Sequence, residues 1–229
     1  MSNEDTLELV SFKICPFVQR SAIALNEKGV DYTTRFIDLE QPAAWFTEIS
    51  PLGKVPVLKT DSGAIFESMV IAEYLDEVYE PRLHPEDPME KARHRSWIEY
   101  ASEVTMKQFS MFMAPGEKLF TTRKDELSEL LNALNGQLSE VGPMFSGERF
   151  RLVDAAFAPV FMRLELLGKF FDHGLYDTDS RLGQWSQAMM EKDSVKNSVS
   201  KDFERAFLDY FGVEKNHISK LINQGASMS

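Results

Sequence analysis

The N-terminal part of the chain carries the pattern that most constrains the fold: a strand, a helix and a second strand in succession. Residues 7–12 alternate apolar and polar side chains, which is typical of a short half-buried strand. Pro16 suits the first turn of the following helix, whose apolar residues recur at helical spacing until Gly29. Residues 32–39 form the second predicted strand. Because such a unit spans about 30 residues and crosses over right-handed, it predicts a parallel strand pair.

Cys15 is the only cysteine in the chain, and it lies at the junction between the first strand and the first helix. Free N–H groups at a helix start and the positive end of the helix dipole both favour an anion, so this position predicts a thiolate. The alternative is an inert, half-buried cysteine, which is the usual state of a lone cysteine. Its place directly before Pro16 favours the functional thiol. One cysteine forms no intrachain disulfide, so the fold needs no oxidising compartment.

Charge and composition exclude several classes of function. The formal net charge of −11 argues against nucleic acid or an anionic membrane as the main partner, and no apolar run approaches the ~18 residues of a membrane span. The polar, acidic residues 1–5 are unlike a signal peptide, so we expect a cytoplasmic protein. We expect no metal site, because there is no cysteine pair and the four histidines are scattered along the chain, at His84, His94, His173 and His217.

The remaining elements change from mixed to purely helical after a break rich in proline. Before the break, a helix at 41–49, strand-like segments at 55–58 and 64–66, and a helix opened by Glu67-Ser68 are predicted. After it, the spacing predicts helices at 89–113, 123–141, 152–169 and 181–191, with the third of these buried on nearly all sides. We expect a packed aromatic segment near 203–211 and a loose final dozen residues. The expected domains are residues 1–80 and 89–229, joined by a linker at 81–88.

Four motifs, in order and at the expected spacing, resemble the soluble glutathione transferase family. They are Cys15-Pro16-Phe17, the segment 50–58 (SPLGKVPVL), Phe66-Glu67-Ser68, and the segment 152–159 (LVDAAFAP). Cys-Pro-Phe is similar to the cysteine-type members: the omega, lambda, dehydroascorbate reductase and chloride intracellular channel proteins, and the chain looks like a bacterial-like member. The resemblance implies the glutathione transferase fold, an α/β thioredoxin-like N-terminal domain plus an all-α C-terminal domain with the acceptor-substrate cleft. It also implies a homodimer.

The resemblance implies roles for particular residues. Cys15 is the implied catalytic residue, and the implied glutathione-binding residues are Phe17, Lys54, Val55, Pro56, Glu67 and Ser68. In the family Val55-Pro56 is a cis peptide, and the main chain of Val55 pairs with the extended cysteinyl part of glutathione. Ser68 holds the γ-glutamyl carboxylate at a helix start, and Glu67 pairs with its ammonium. By themselves, Glu67-Ser68 could be only a helix cap and Lys54 a solvated lysine.

The chain departs from the family pattern in two places, and one further stripe is ambiguous. Omega-type members carry a lysine for the glycyl carboxylate where this chain has Pro42. Arg151 stands where the family has a Ser or Thr helix cap, so its capping box with Asp154 is incomplete, and Asp154 is expected to be structural. An apolar stripe on the predicted helix 89–113 either lines the acceptor cleft or packs in the core; it comprises Met106, Phe109, Met111, Phe112 and Met113.

A single thiol restricts the expected chemistry. Val18 stands where a dithiol oxidoreductase would have a second cysteine, so a mixed disulfide between Cys15 and glutathione needs a second glutathione to resolve it. The expected function is that of a glutathione-dependent thiol transferase or dehydroascorbate reductase acting on a small electrophilic or disulfide substrate. The alternative is a non-enzymatic interaction protein on the same fold, similar to bacterial stringent starvation protein A, which the segment 74–77 (YLDE) resembles.

Overall fold

A four-stranded mixed sheet forms the centre of the first half of the computed structural model, which describes residues 7–212 and 216–227. The strands are β1 (Leu7–Ser11), β2 (Tyr32–Phe36), β3 (Val57–Thr60) and β4 (Gly63–Phe66), in the order β2-β1-β3-β4. β1 and β2 are parallel, with Leu7 opposite Tyr32, which confirms the predicted parallel pair. β3 runs antiparallel to both β1 and β4. The result is the predicted thioredoxin-like arrangement.

Three helices accompany this sheet: α1 (Pro16–Glu27), α2 (Ala44–Ile49) and α3 (Ser68–Val78). α1 ends just before Gly29, whose φ of +61° lies in the left-handed region that glycine adopts without steric cost. α1 buries its apolar face and packs against α3. The sheet and these helices therefore form one apolar core, with the N-terminus of α1 at the end of β1.

The second half contains α4 (Pro88–Phe112), α5 (Glu117–Asn135), α6 (Leu152–Gly168), α7 (Arg181–Glu191), α8 (Asp193–Lys196), α9 (Phe203–Phe211) and α10 (His217–Ala226). Fourteen of the 17 residues of α6 are buried, so the prediction of a central buried helix is confirmed. α6 packs against both α1 and α4, and it thus joins the two halves. Within residues 7–212 and 216–227, no helix is long and apolar enough to cross a membrane.

α5 occupies a different range from the predicted 123–141. It begins directly after Gly116 and ends before Gly136, six residues earlier at each end. The prediction took Gly142 as the terminator, but Gly136 comes first and caps the helix. Gly142 instead lies in the next turn with φ of +81°, where a Cβ atom would come within 2.4 Å of the Gly147 main chain.

The C-terminal segment is helical and packed, so the prediction of a loose final dozen residues is wrong for the part that the structure describes. Ile218 and Ile222 of α10 are buried, and the His217 N–H donates to the Ala114 carbonyl at 2.8 Å. These two isoleucines, four residues apart, bury one face of α10, which explains why the segment is ordered. Residues 228–229, and residues 1–5 with their expected lack of a signal peptide, lie outside the described residues.

Asp154 fastens the start of α6. Its Oδ2 accepts the Arg151 N–H at 2.7 Å, which is the Asp154 half of a capping box, whereas the arginine side chain has no acceptor for the Asp154 N–H. Its Oδ1 accepts the Phe145 N–H at 2.9 Å and the Trp185 Nε1–H at 2.7 Å. The carboxyl is fully buried and joins α6, α7 and the preceding loop, so its role is structural.

Candidate active site

Three chain junctions meet at one edge of the sheet. Val10 lies opposite Val57, and Val57 lies opposite Phe66. The end of β1, the beginning of β3 and the end of β4 therefore share this edge, because antiparallel neighbours place the end of one strand beside the beginning of the next. The sequence places Cys15 after β1, Val55-Pro56 before β3 and Glu67-Ser68 after β4. The topology thus gathers residues that are far apart in the chain.

Cys15 lies at the N-cap position of α1, in an extended conformation. Its N–H donates to the Phe12 carbonyl at 3.0 Å, which fixes the turn from β1 into the helix. Its sulfur lies 3.9 Å from the carbonyl oxygen of Val55, so the first and second junctions are in contact. The residue is half-buried, and it contributes to the walls of two cavities.

The electrostatics of this sulfur differ from the sequence-based expectation. Burial raises the pKa of the Cys15 thiol above its ordinary value. The N–H groups of Val18 and Phe17, and then the charges of Arg163 and Arg20, oppose that shift without cancelling it. The prediction that the helix start alone would hold a thiolate is therefore wrong for the protein without bound glutathione, because desolvation outweighs the helix N-terminus.

Two buried arginines beside Cys15 were missed by the sequence analysis. Arg20 of α1 donates to the Ala156 carbonyl at 2.9 Å and to the hydroxyls of Ser102 and Thr105 at 2.9 and 3.1 Å. Arg163 of α6 is also buried. Burial lowers the pKa of each guanidinium to about 10. The only sequence signal was a charged residue within an otherwise apolar helix face, as Arg163 is in α6.

The junction before β3 is compact and ordered. Val55-Pro56 is a cis peptide, as the resemblance implied, and both residues are buried. Lys54 lies in the preceding turn, where the Ser50 hydroxyl accepts the Lys54 N–H at 2.9 Å and donates to the Lys54 carbonyl at 2.8 Å. The Lys54 side chain is exposed. The main chain at 54–56 is therefore held in place beside Cys15, while the lysine ammonium faces solvent.

The junction after β4 has an unusual backbone. Glu67 is the one non-glycine residue with positive φ, at +71°, in the described part of the chain. It occupies the N-cap position of α3, yet its side chain makes no capping hydrogen bond and is exposed. Ser68 follows as the first, buried residue of α3. A plain helix cap does not explain Glu67, whereas strained residues of this kind concentrate at ligand sites.

A cavity of about 230 Å³, which we call the aromatic cavity, lies beside Cys15; its wall is mostly apolar and includes six aromatic residues. Met106, Phe109 and Phe112 of the ambiguous stripe reach it, whereas Met111 and Met113 are not among its lining residues. Phe17 contributes from α1, and α9 contributes Tyr210 and Phe211. Met111 is buried in the core and Met113 is exposed, so the stripe divides between cleft, core and surface. The sequence analysis placed α9 in a packed segment but did not assign it to the cleft.

Throughout residues 7–212 and 216–227, no group of three or more His, Cys, Asp and Glu side chains could hold a metal ion. The reactive atoms gathered at the sheet edge are a thiol, main-chain amides and one exposed carboxylate.

Comparison with known proteins shows which family shares this sequence and fold. The family model described as glutathione S-transferase, N-terminal domain, matches residues 14–78. Glutathione S-transferase omega-1 of Rattus norvegicus is 32% identical over 92% of this chain and 86% of its own length. Glutathione S-transferase DHAR2 of Arabidopsis thaliana is 33% identical over 82% of this chain and 84% of its own length.

Solved structures agree in fold. Glutathione transferase Omega 3C from Trametes versicolor is 27% identical with a TM-score of 0.75, covering 85% of this chain and 89% of its own. Rice GST1, solved in complex with glutathione, is 26% identical with a TM-score of 0.77, covering 93% of this chain and 98% of its own. Because these relatives are named as transferases, the alternative of a non-enzymatic interaction protein is not favoured. Sequence and architecture together show that this chain is an enzyme of the glutathione S-transferase family.

Proposed function

We propose that this transferase exchanges thiols through a mixed disulfide between Cys15 and glutathione. The observation that carries the proposal is the 3.9 Å approach of the Cys15 sulfur to the Val55 carbonyl, at the sheet edge shared with Glu67 and Ser68. A tripeptide extended along the main chain of Val55 would present its own sulfur to Cys15. The relatives named omega-1 and DHAR2, and the rice structure solved with glutathione, support the choice of ligand.

Each end of glutathione has a proposed partner. Ser68, at the first position of α3, offers its N–H and hydroxyl to the γ-glutamyl carboxylate, where the helix dipole favours an anion. The exposed Glu67 carboxylate pairs with the ammonium. Val55 pairs with the cysteinyl main chain as an added strand would, and buried Pro56 shapes that surface. Phe17 borders the sulfur, and the exposed Lys54 ammonium is the proposed partner of the glycyl carboxylate.

The proposed reaction has two exchange steps. The Cys15 thiolate attacks the glutathione sulfur of a mixed disulfide, the S–S bond breaks, and the released thiolate takes a proton from water. The thiolate of a second glutathione then attacks the Cys15-bound glutathione, which releases oxidised glutathione and regenerates Cys15. The N–H groups of Phe17 and Val18 face the sulfur during these steps. Because residue 18 is a valine and not a second cysteine, the chain has no internal thiol that could resolve the mixed disulfide.

The aromatic cavity is the proposed acceptor site. Its largely apolar wall suits a small electrophilic or disulfide substrate whose apolar group lies against Phe109 and Tyr210. We further propose that residues 1–80 form the glutathione-binding domain, 81–88 a linker and 89–229 the acceptor domain of a cytoplasmic homodimer. Sedimentation equilibrium of the purified protein tests the dimer directly.

A Cys15→Ser variant tests the chemical role. The hydroxyl cannot form a disulfide, so thiol transfer should fall at least about 10³-fold, whereas retention on immobilised glutathione should persist. As a control, intact mass spectrometry after incubation with oxidised glutathione should show one adduct on the native chain and none on the variant. Thiol-transferase activity at the native rate in Cys15→Ser would refute the proposal.

A further inference from the structure

Arg163 carries a buried positive charge without a carboxylate partner. Its side chain is only 3% exposed, and it lines the same cavity as Cys15. Nη1 donates to the Gln19 Oε1 at 2.8 Å and to the Pro159 carbonyl at 2.6 Å, and Nη2 donates to the Ile14 carbonyl at 2.8 Å. Every one of these acceptors is uncharged. Among the described residues, Arg163 makes no ion pair.

Such a charge is expensive to bury, so its surroundings should contain a compensating anion. The groups electrostatically coupled to Arg163 are the Cys15 sulfur, which favours the charged guanidinium, and Arg20, which disfavours it. Arg20 differs, because the carboxylate of Glu99 as well as Cys15 favours its charge. When it is deprotonated, the Cys15 sulfur is thus the anion that matches Arg163.

We propose that Arg163 is a positioning residue for the thiol chemistry, whose uncompensated guanidinium stabilises the Cys15 thiolate against the desolvation of the site. The same side chain donates to the Ile14 carbonyl, one residue before Cys15, so its charge acts on the sulfur while its hydrogen bond fixes the main chain next to it. This inference rests on the proposed function, but it concerns the protein without bound glutathione.

The other charged or titratable side chains near Cys15 are either exposed or not cations. Lys13, in the turn before it, is exposed and pairs with Asp202 at 2.6 Å. Tyr210 of α9 lines the aromatic cavity, and Tyr32 of β2 lines the smaller one, where burial raises its phenol pKa. Arg163 and Arg20 are therefore the buried cations coupled to the sulfur.

The experiment measures the rate of Cys15 alkylation by iodoacetamide against pH, without glutathione. Since the chain has one cysteine, the bound label reports that residue alone. Arg163→Gln keeps a short hydrogen-bond donor but removes the charge, so the titration midpoint should rise by at least about one pH unit and the rate at pH 7 should fall about tenfold.

Arg181→Gln is the matched control. Arg181 also donates to main-chain carbonyls, at Ser139, Gly142 and Met144, but it lies outside the cavities that Cys15 lines. Its variant should leave the alkylation midpoint unchanged even where its thermal stability falls. A folded Arg163→Gln protein with the native midpoint would overturn the proposal, without affecting the Cys15→Ser test of function.

A second measurement on the native protein covers the case in which Arg163→Gln does not fold. The ratio of alkylation rates with anionic iodoacetate and neutral iodoacetamide reports the electrostatic potential at the sulfur. A net charge of −11 alone predicts a ratio below that of a free, uncharged cysteine derivative. The buried arginines predict a ratio several-fold above it, and a ratio at or below the free thiol would contradict the proposal.

Discussion

At the scale of single residues, Glu67 has an unfavourable backbone conformation and Cys15 has surroundings that disfavour its thiolate. Glu67 holds a left-handed backbone conformation that glycine would adopt at no steric cost. Cys15 is buried enough to disfavour its own reactive form. The Glu67 conformation costs folding free energy and the burial of Cys15 disfavours its thiolate, and both residues lie at the edge where the three junctions meet. A strained residue and a desolvated thiol that lie close together are typical of a binding site.

Replacing Glu67 with glycine should separate stability from binding. The relieved strain of about 1–3 kcal/mol exceeds the backbone entropy cost of glycine, so Glu67→Gly should raise the melting temperature. The same change removes the proposed partner of the γ-glutamyl ammonium, so the KM for glutathione should increase about tenfold. Glu67→Gln is the control, since it keeps the strain and loses only the charge. A lower melting temperature for Glu67→Gly would argue against strain at this position.

At the scale of elements, the helix starts carry the specific interactions. Cys15 is the N-cap residue of α1, Glu67 is the N-cap residue of α3, and Asp154 lies in the first turn of α6. Two of these three helix starts belong to the proposed site. The start of α6 is different, because its carboxyl is completely buried and bonded to two elements and a loop. Burial raises the pKa of Asp154 to about 6, although its hydrogen bonds oppose the shift.

The raised pKa of Asp154 predicts a pH dependence of stability. The native state keeps a proton that the unfolded chain releases near pH 4, so the contribution of Asp154 is fully present below that pH. It is lost as pH rises towards 6. Compared with Asp154→Asn, the native protein should lose roughly 2–3 kcal/mol of relative unfolding free energy between pH 4 and 6.

Urea unfolding of both proteins at several pH values checks this. The contributions of the other carboxylates cancel when the unfolding free energy of Asp154→Asn is subtracted from that of the native protein. Asp154→Asn should also be less stable by about 1–3 kcal/mol at pH 4, because its amide NH₂ takes the place of one carboxyl oxygen and then faces at least one of the three N–H donors. A difference that stays constant from pH 4 to 6 would show that Asp154 does not titrate in this range.

At the scale of the whole molecule, buried polar contacts join the two halves. Arg20 and Arg163 connect α1 and the turn before it to α4 and α6. At the connecting segment, Lys28 donates to the Asp76 carboxylate at 2.9 Å and to the carbonyls of Tyr79 and Pro81 at 2.8 and 2.9 Å. Asp76 also accepts the Leu83 N–H at 2.6 Å. The end of α1 thereby holds the chain between α3 and α4.

Removing Asp76 should destabilise the whole molecule. The Lys28 ammonium is completely buried, so Asp76→Asn leaves it without its anion and should cost about 3–5 kcal/mol of unfolding free energy. Glu90→Gln is the control, because its ion pair with Arg93 is exposed and should contribute less than about 1 kcal/mol. Urea denaturation monitored by tryptophan fluorescence measures both. Equal stabilities of the two variants would show that the Lys28–Asp76 pair does not hold the connection.

Local signals predicted much of this architecture. The type and order of the elements from β1 to α7 follow from side-chain periodicity, Pro16 and Gly29, because these act within a few residues. The boundaries of α5 were shifted because two glycines, Gly136 and Gly142, could each end a helix, and only packing selects between them. The prediction missed α10 because it treated the end of the chain as loose, although Ile218 and Ile222 recur there at helical spacing.

The sequence by itself determined that Cys15 starts a helix and that Val55-Pro56 and Glu67-Ser68 flank strands, since strand ends and helix starts are encoded locally. Only the tertiary structure decided that these junctions share one edge, that the charges of two buried arginines act on the sulfur, and that burial raises the thiol pKa. The physical reason is that desolvation and long-range electrostatics depend on residues brought from distant parts of the chain, such as Arg163 on α6.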